Sequence, residues 1–205
     1  FEAYSLEDVA AHICALSRVD PEHPVEVLIA RGEGAVVSCT VLAFDYPAEF
    51  SLIAGVLTGA GFSVQDGDVF TYAPAAPFPP STLPRRRNRP VDRLRIQLNR
   101  RRIVDRFTGT IRTTLTHDEW SRELKERFSR VIGLMEAGTD EAIAQAKNLA
   151  HQMVAARLGE LTSAALPLLY PMDIHVSNDS PLWTTLRIRS QDTPAFLYAL
   201  SSALA

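Results

Sequence analysis

Cysteine is scarce in this chain of 205 residues: only Cys14 and Cys39 are present, and their separation matches no metal-binding spacing. That excludes a small scaffold stapled by several disulfides and a zinc ribbon, and it leads us to expect a reduced, cytoplasmic setting. No apolar run approaches the roughly 20 residues that a membrane-spanning helix needs. No charged-then-apolar leader opens the chain either, so a membrane is not an expected partner. The formal net charge is only −3, and taken globally it names no partner. The histidines, His12, His23, His117, His151 and His175, stand singly without H-x-x-x-H spacing, so no metal site is expected. No nucleophile and base fall into a recognisable pairing.

The chain does contain an internal repeat. Ser38–Phe44, SCTVLAF, is an apolar strand that leads into Asp45-Tyr46-Pro47-Ala48 and then a helix; Leu182–Ile188 leads in the same way into Asp192-Thr193-Pro194-Ala195 and a second helix. A repeated unit says more about architecture than any single motif. Phe50, Ile53, Ala54 and Leu57 form a helical stripe that Gly59 and Gly61 end, with Pro47 expected in the first turn. In the second copy Phe196, Leu200 and Leu204 continue the stripe. The chain opens on Phe1 and stops within this second copy, so a piece of something larger is the expectation. With 46% hydrophobic residues, the chain can bury a sizeable core as one domain or two small ones.

Around the repeat, Ser5 and Asp8 form a capping-box pair that opens a helix from Ser5 to Leu16. Val25–Ala30 and Ala35–Phe44 read as strands joined by a turn at Gly32–Gly34. Phe62–Tyr72 reads as a strand with a bulge at Gly67, and Arg102–Ile111 as another. Thr116 and Glu119 make a second capping box, opening a helix with its stripe at Trp120, Leu124, Phe128, Val131 and Met135 that Gly138 stops. A further helix is expected over 140–161, then a short strand at Met172–Val176. The order implies an α+β sandwich with helices on one face of an antiparallel sheet.

Between the strands, Pro74, Pro77, Pro79, Pro80, Pro84 and Pro90 crowd one stretch, which reads as a long arm. Arg85, Arg86, Arg87, Arg89, Arg93, Arg95, Arg100, Arg101, Arg102 and Arg106 follow in and after it. Such clustering can mark a nucleic-acid footprint. The aromatic side chains on which single-stranded bases stack do not interleave it, so a solvated arm or a surface for an acidic partner is preferred.

The ordered series Asp45, Pro47, Phe50, Ile53, Ala54, Gly55, Leu57, Ala60, Gly61, Asp66, Phe70 and Thr71, with Asp105 and Phe107 in the later strand, resembles the tandem ACT domains that end bacterial protein-PII uridylyltransferases. Val176, Asn178, Asp179, Asp192 and Pro194 resemble the family's link into its second ACT domain, and YSLEDVAAHICAL resembles its lead-in. The resemblance implies an ACT-like ferredoxin-type βαββαβ unit over 36–178, with the arm at 73–100 and a helical hairpin inserted at 116–161. A lead-in helix and strand at 1–35 would precede it, and the start of a second, incomplete ACT unit at 179–205 would follow. It also implies regulation by an amino acid, glutamine, in control of a PII signalling protein. The catalytic parts of such a parent, which would use Mg and UTP, have no motif here, so whether the chain serves an enzyme is open. The other reading is an ACT-type assembly module without ligand binding, with a homodimer as one outcome.

In ACT domains the strand-to-helix loop holds the effector, and the resemblance puts that role on Asp45, Pro47, Ala48, Glu49, Asp66, Asp192, Pro194 and Ala195. Helix N-terminal N–H groups would take a carboxylate, and an acidic side chain the ammonium. The departures are Ala48 and Ala195 in place of glycine, and Glu49 in place of leucine. Alanine hinders a positive φ, and Glu49 puts a like charge near the expected carboxylate. Asp45 and Asp192 could instead take the ammonium, but an Asp before a helical Pro is more often a cap or turn residue.

Overall fold

The computed structural model describes residues 4–72, 100–161, 172–190 and 193–205; the side chain of residue 161 is outside the description. The elements are α1 (Leu6–Arg18), β1 (Val25–Arg31), β2 (Val36–Phe44), α2 (Glu49–Gly59), β3 (Phe62–Tyr72), β4 (Arg102–Ile111), α3 (His117–Ala137), α4 (Asp140–Leu161), β5 (Asp173–Ser177), β6 (Thr185–Arg189) and α5 (Phe196–Leu204). Both capping boxes form: the Ser5 hydroxyl accepts the Asp8 N–H, and the Thr116 hydroxyl accepts the Glu119 N–H. Gly138 ends α3 in the left-handed conformation at φ 68°, which a side chain would resist.

Four strands make one antiparallel sheet in the order β1-β2-β4-β3. Val41 sits opposite Val27 on one side and Asp105 on the other. Because β4 separates β2 from β3 and is antiparallel to both, β2 and β3 run parallel, with α2 as the crossover between them. The irregularity expected at Gly67 lies instead between Val64 and Asp66, two residues nearer the start of β3.

Helices cover both faces of this sheet, not one. On the larger face Val27, Cys39, Val41, Ala43, Ile103 and Phe107 pack with α2, α3 and α4. On the other face Ala15 of α1 packs with Leu42 and Val104. The reason is legible in the second half of β2, where Val41 and Ala43 on one side and Leu42 on the other are all apolar and buried; a strand apolar on both faces needs two covers. Helix α2 is buried almost all round, from Glu49 to Leu57. Its C-terminal carbonyls, which no helical N–H can satisfy, accept from α3: Trp120 Nε1 donates to Ala60 O and Arg127 Nη1 to Gly59 O, each at 2.8 Å.

The strand expected to complete this sheet does not join it. Asp173–Ser177 pairs with Thr185–Arg189 in a separate two-stranded sheet, and β1 fills the place beside β2. The β1–β2 connection explains this, because Gly34 at φ 63° and the Gly32 N–H to Val36 O bond close a tight hairpin. A local hairpin costs less closure entropy than a strand arriving from residue 173. The repeat is therefore longer than strand and helix: β1–β2–α2 recurs as β5–β6–α5. Helix α5 packs on α2.

Candidate functional site

The two repeated loops have the same backbone. Ala48 begins α2 at φ 60°, ψ 18°, and Ala195 begins α5 at φ 64°, ψ 12°, each without a side-chain cap. These are the only non-glycine residues with positive φ among the described residues. A left-handed non-glycine residue costs about 1–2 kcal/mol, and here it recurs at the same place in both copies. Pro47 and Pro194 lie in the turns before the helices rather than within the first helical turn, and Ala48, not Asp45, is the N-cap.

The first loop is closed over its own acid. Glu49 is 5% exposed; its Oε2 accepts the Tyr46 N–H at 3.1 Å, and its Oε1 has no hydrogen-bond partner. Asp105 lies below on β4, 2% exposed, and accepts the Phe70 N–H at 3.2 Å. Burial, reinforced by the Asp105 and Asp45 charges, pushes the Glu49 carboxyl up to about 9. Burial, reinforced by Asp45, pushes Asp105 up to about 7. Asp45 itself is exposed, its N–H bonded to Arg101 O at 3.0 Å. Beside them the Arg100 guanidinium lies 3.7 Å over the Phe44 ring and pairs with Glu136 at 2.9 Å. The Tyr46 hydroxyl donates to the same carboxylate at 2.5 Å. Asp66 is not brought here: it is exposed, opposite Thr108, on the α1 side of the sheet.

The second loop faces open space. Residues 193–197 line a cavity of about 180 Å³ together with residues 61–64 at the start of β3, Arg112 and Arg157. Arg157 of α4 donates to Glu160 at 2.7 Å and to Arg112 O at 2.8 Å, which fixes its charge at the rim. Arg112 follows β4 and bonds through its N–H to Gly61 O at 2.8 Å. Arg112 and Arg157, the second countered by Glu160, line it beside the N-terminus of α5, which suits an anion. The volume is below the roughly 300–1,000 Å³ of pockets for drug-sized ligands, so the occupant is small. The structure thus brings Pro194 and Ala195 to Ser63 and Val64, while Asp192 lies outside the described residues.

Sequence reasoning missed Arg112 and Arg157 as site residues, and nothing in their spacing signals them. It also missed the burial of both Glu49 and Asp105, the second acting on the first through its charge. There a signal existed: Asp105 shares the inward alternation of Ile103 and Phe107, where an apolar residue is expected. Of the clustered arginines, those at 85–95 lie outside the described residues. Arg100, Arg102 and Arg106 have partners within the chain, in Glu136, Leu16 O and Asp68. Among the described residues no group of three or more His, Cys, Asp or Glu could hold a metal ion, and no helix is long and apolar enough to cross a membrane. No protein-family model matches the chain, and no curated protein matches it.

Proposed function

We propose that this chain is a regulatory segment that senses a small amino acid, glutamine by the family resemblance, and passes that state to a PII uridylyltransferase-like parent. The observation that carries the reading is the cavity where the Thr193–Ala195 loop meets residues 61–64, ringed by Arg112 and Arg157. The ligand carboxylate takes the two guanidinium groups and the first-turn N–H groups of α5. The order β2–α2–β3–β4–α3, with β1 beside β2 where a ferredoxin-type fold has its last strand, supports the ACT-like assignment. In this reading the first loop is no longer a receptor, because Glu49 fills it.

Calorimetry with glutamine, glutamate and a carboxylate without an amino group tests the reading. A charge-assisted contact is worth about 1.5–3 kcal/mol, so Arg157→Met is expected to weaken binding by roughly 10- to 100-fold. Asp66→Ala, on the far face, leaves it unchanged. Heat for none of the three ligands sinks the sensor reading. The assembly module without ligand binding would then stand, and the β5–β6 hairpin favours it, since Ile174 and Val176 on one face are each 54% exposed. Sedimentation at rising concentration reads that alternative directly.

A further inference from the structure

Glu49 and Asp105 are the only two carboxyl residues that are buried among the described residues, and ligand sensing at the second loop uses neither. Glu49 Oε1 has no hydrogen-bond partner although it is shut away from solvent. An ionised carboxylate would be costly there; a protonated one is tolerable. The groups that act on Glu49 are Asp105 from β4, Asp45 and the Tyr46 N–H from its own loop, and Arg100. Those that act on Asp105 are the Phe70 N–H from β3 and Asp45. Arg100 is meanwhile held by Glu136 of α3, which also accepts the Tyr46 hydroxyl. One guanidinium therefore pairs directly with Glu136 and also acts by its charge, as the weakest of the named influences, on the buried Glu49.

We propose that Glu49 is a proton-held latch. Protonated, it stays sealed beneath the Asp45–Glu49 loop; on releasing its proton to solvent it draws Arg100 away from Glu136, so that loop and Arg100 move together. Asp105 titrates first, with its carboxyl at about 7 against about 9 for Glu49, and the charge it gains strengthens Glu49's hold on the remaining proton. Tyr46 belongs to the moving part, because its N–H binds Glu49 and its hydroxyl binds Glu136.

Carboxyl and guanidinium NMR on the whole chain, from pH 5 to 10.5, tests the latch. The expected result is a Glu49 Cδ signal that titrates several units above the ordinary glutamate value of about 4.3, with the Arg100 Nε and Tyr46 N–H signals moving at the same midpoint. In Glu49→Gln the Arg100 and Tyr46 signals are expected to stay at their low-pH positions throughout. Titration of Glu49 in the ordinary range overturns the proposal. So does a midpoint for Arg100 that differs from that of Glu49, or an Arg100 titration that survives Glu49→Gln. The comparison of midpoints in the unsubstituted chain decides alone if the variant fails to fold.

Discussion

The ring of Tyr198 in α5 lies against Gly55 of α2, where a β-carbon would meet two of the ring carbons at 3.0 Å and the Ala150 β-carbon of α4 at 3.2 Å. One turn on, a β-carbon at Gly59 would come within 2.5 Å of the Met153 β-carbon and 3.0 Å of its backbone. These two glycines let α2 run between α4 and α5 at close range. The seating of the second repeat on the first therefore depends on the absence of a side chain.

Gly59→Ala tests this contact by the sign of its effect. In an open helix interior alanine would gain about 0.5–1 kcal/mol over glycine. Here the added carbon meets Met153 main chain, and forced overpacking costs about 1–3 kcal/mol. Urea denaturation should show a lower midpoint with an unchanged slope. At Gly55 the obstacle is an aromatic ring that can shift, so Gly55→Ala should loosen α5 selectively. Hydrogen exchange should quicken at Ala199–Ser201 and hold steady in β2.

Ala48→Gly and Ala195→Gly test the strain at the loops. Each alanine holds a left-handed conformation near φ 60° that glycine adopts without penalty. Relief of about 1–2 kcal/mol exceeds the roughly 0.5–1 kcal/mol by which glycine favours the unfolded chain. Each variant should raise the thermal midpoint slightly, and the two gains should add, because the sites belong to separate loops. Loss of stability in both would show that the surroundings hold these alanines in some other way.

Much of this fold is legible in the amino-acid sequence. The capping pairs Ser5/Asp8 and Thr116/Glu119, the stop at Gly138 and the bounds of β4 are local features, written in adjacent residues. The partner of β5 was not, because strand pairing is decided by which edge is already taken. The short Gly32–Gly34 turn, visible in the sequence, settles that in favour of β1. The second cover on β2 was foreshadowed by Leu42 beside Val41 and Ala43, an apolar run that alternation alone cannot explain. The cavity was illegible for a different reason: Arg112, Arg157 and Thr193 meet only through the packing of α5 on α2 that Gly55 permits.

Asp105→Asn separates the two buried acids. The amide oxygen can still accept the Phe70 N–H, so the bond survives while the charge is removed. The Asp105 carboxyl is raised from 3.8 to about 7, so between those values the unfolded chain releases its proton and the folded chain keeps it. Its contribution is full below pH about 3.8 and is lost as pH rises through about 7. The variant should lack this decline, and its advantage over the unsubstituted chain should grow from pH 4 to 7 and then level off. A parallel pH profile in the two proteins would mean that Asp105 ionises normally in the fold.

Glu49→Leu brings the larger change, over a wider pH range. Glu49 is raised from 4.5 to about 9, so its stabilising contribution is complete below pH about 4.5 and declines until pH about 9. At pH 7 the cost of keeping it neutral is on the order of 3 kcal/mol, at 1.36 kcal/mol per pH unit. Leucine removes that cost and the orphaned Oε1, and it forfeits the bond to the Tyr46 N–H, a net loss of about 0.5–1.5 kcal/mol. The advantage of leucine is therefore greatest at about pH 9 and above and shrinks toward about pH 4, where glutamic acid is neutral in both states. Denaturation midpoints for the two proteins should converge as pH falls from about 9 to about 4. If leucine is the less stable at every pH, the Glu49 carboxyl is ionised and satisfied in the fold.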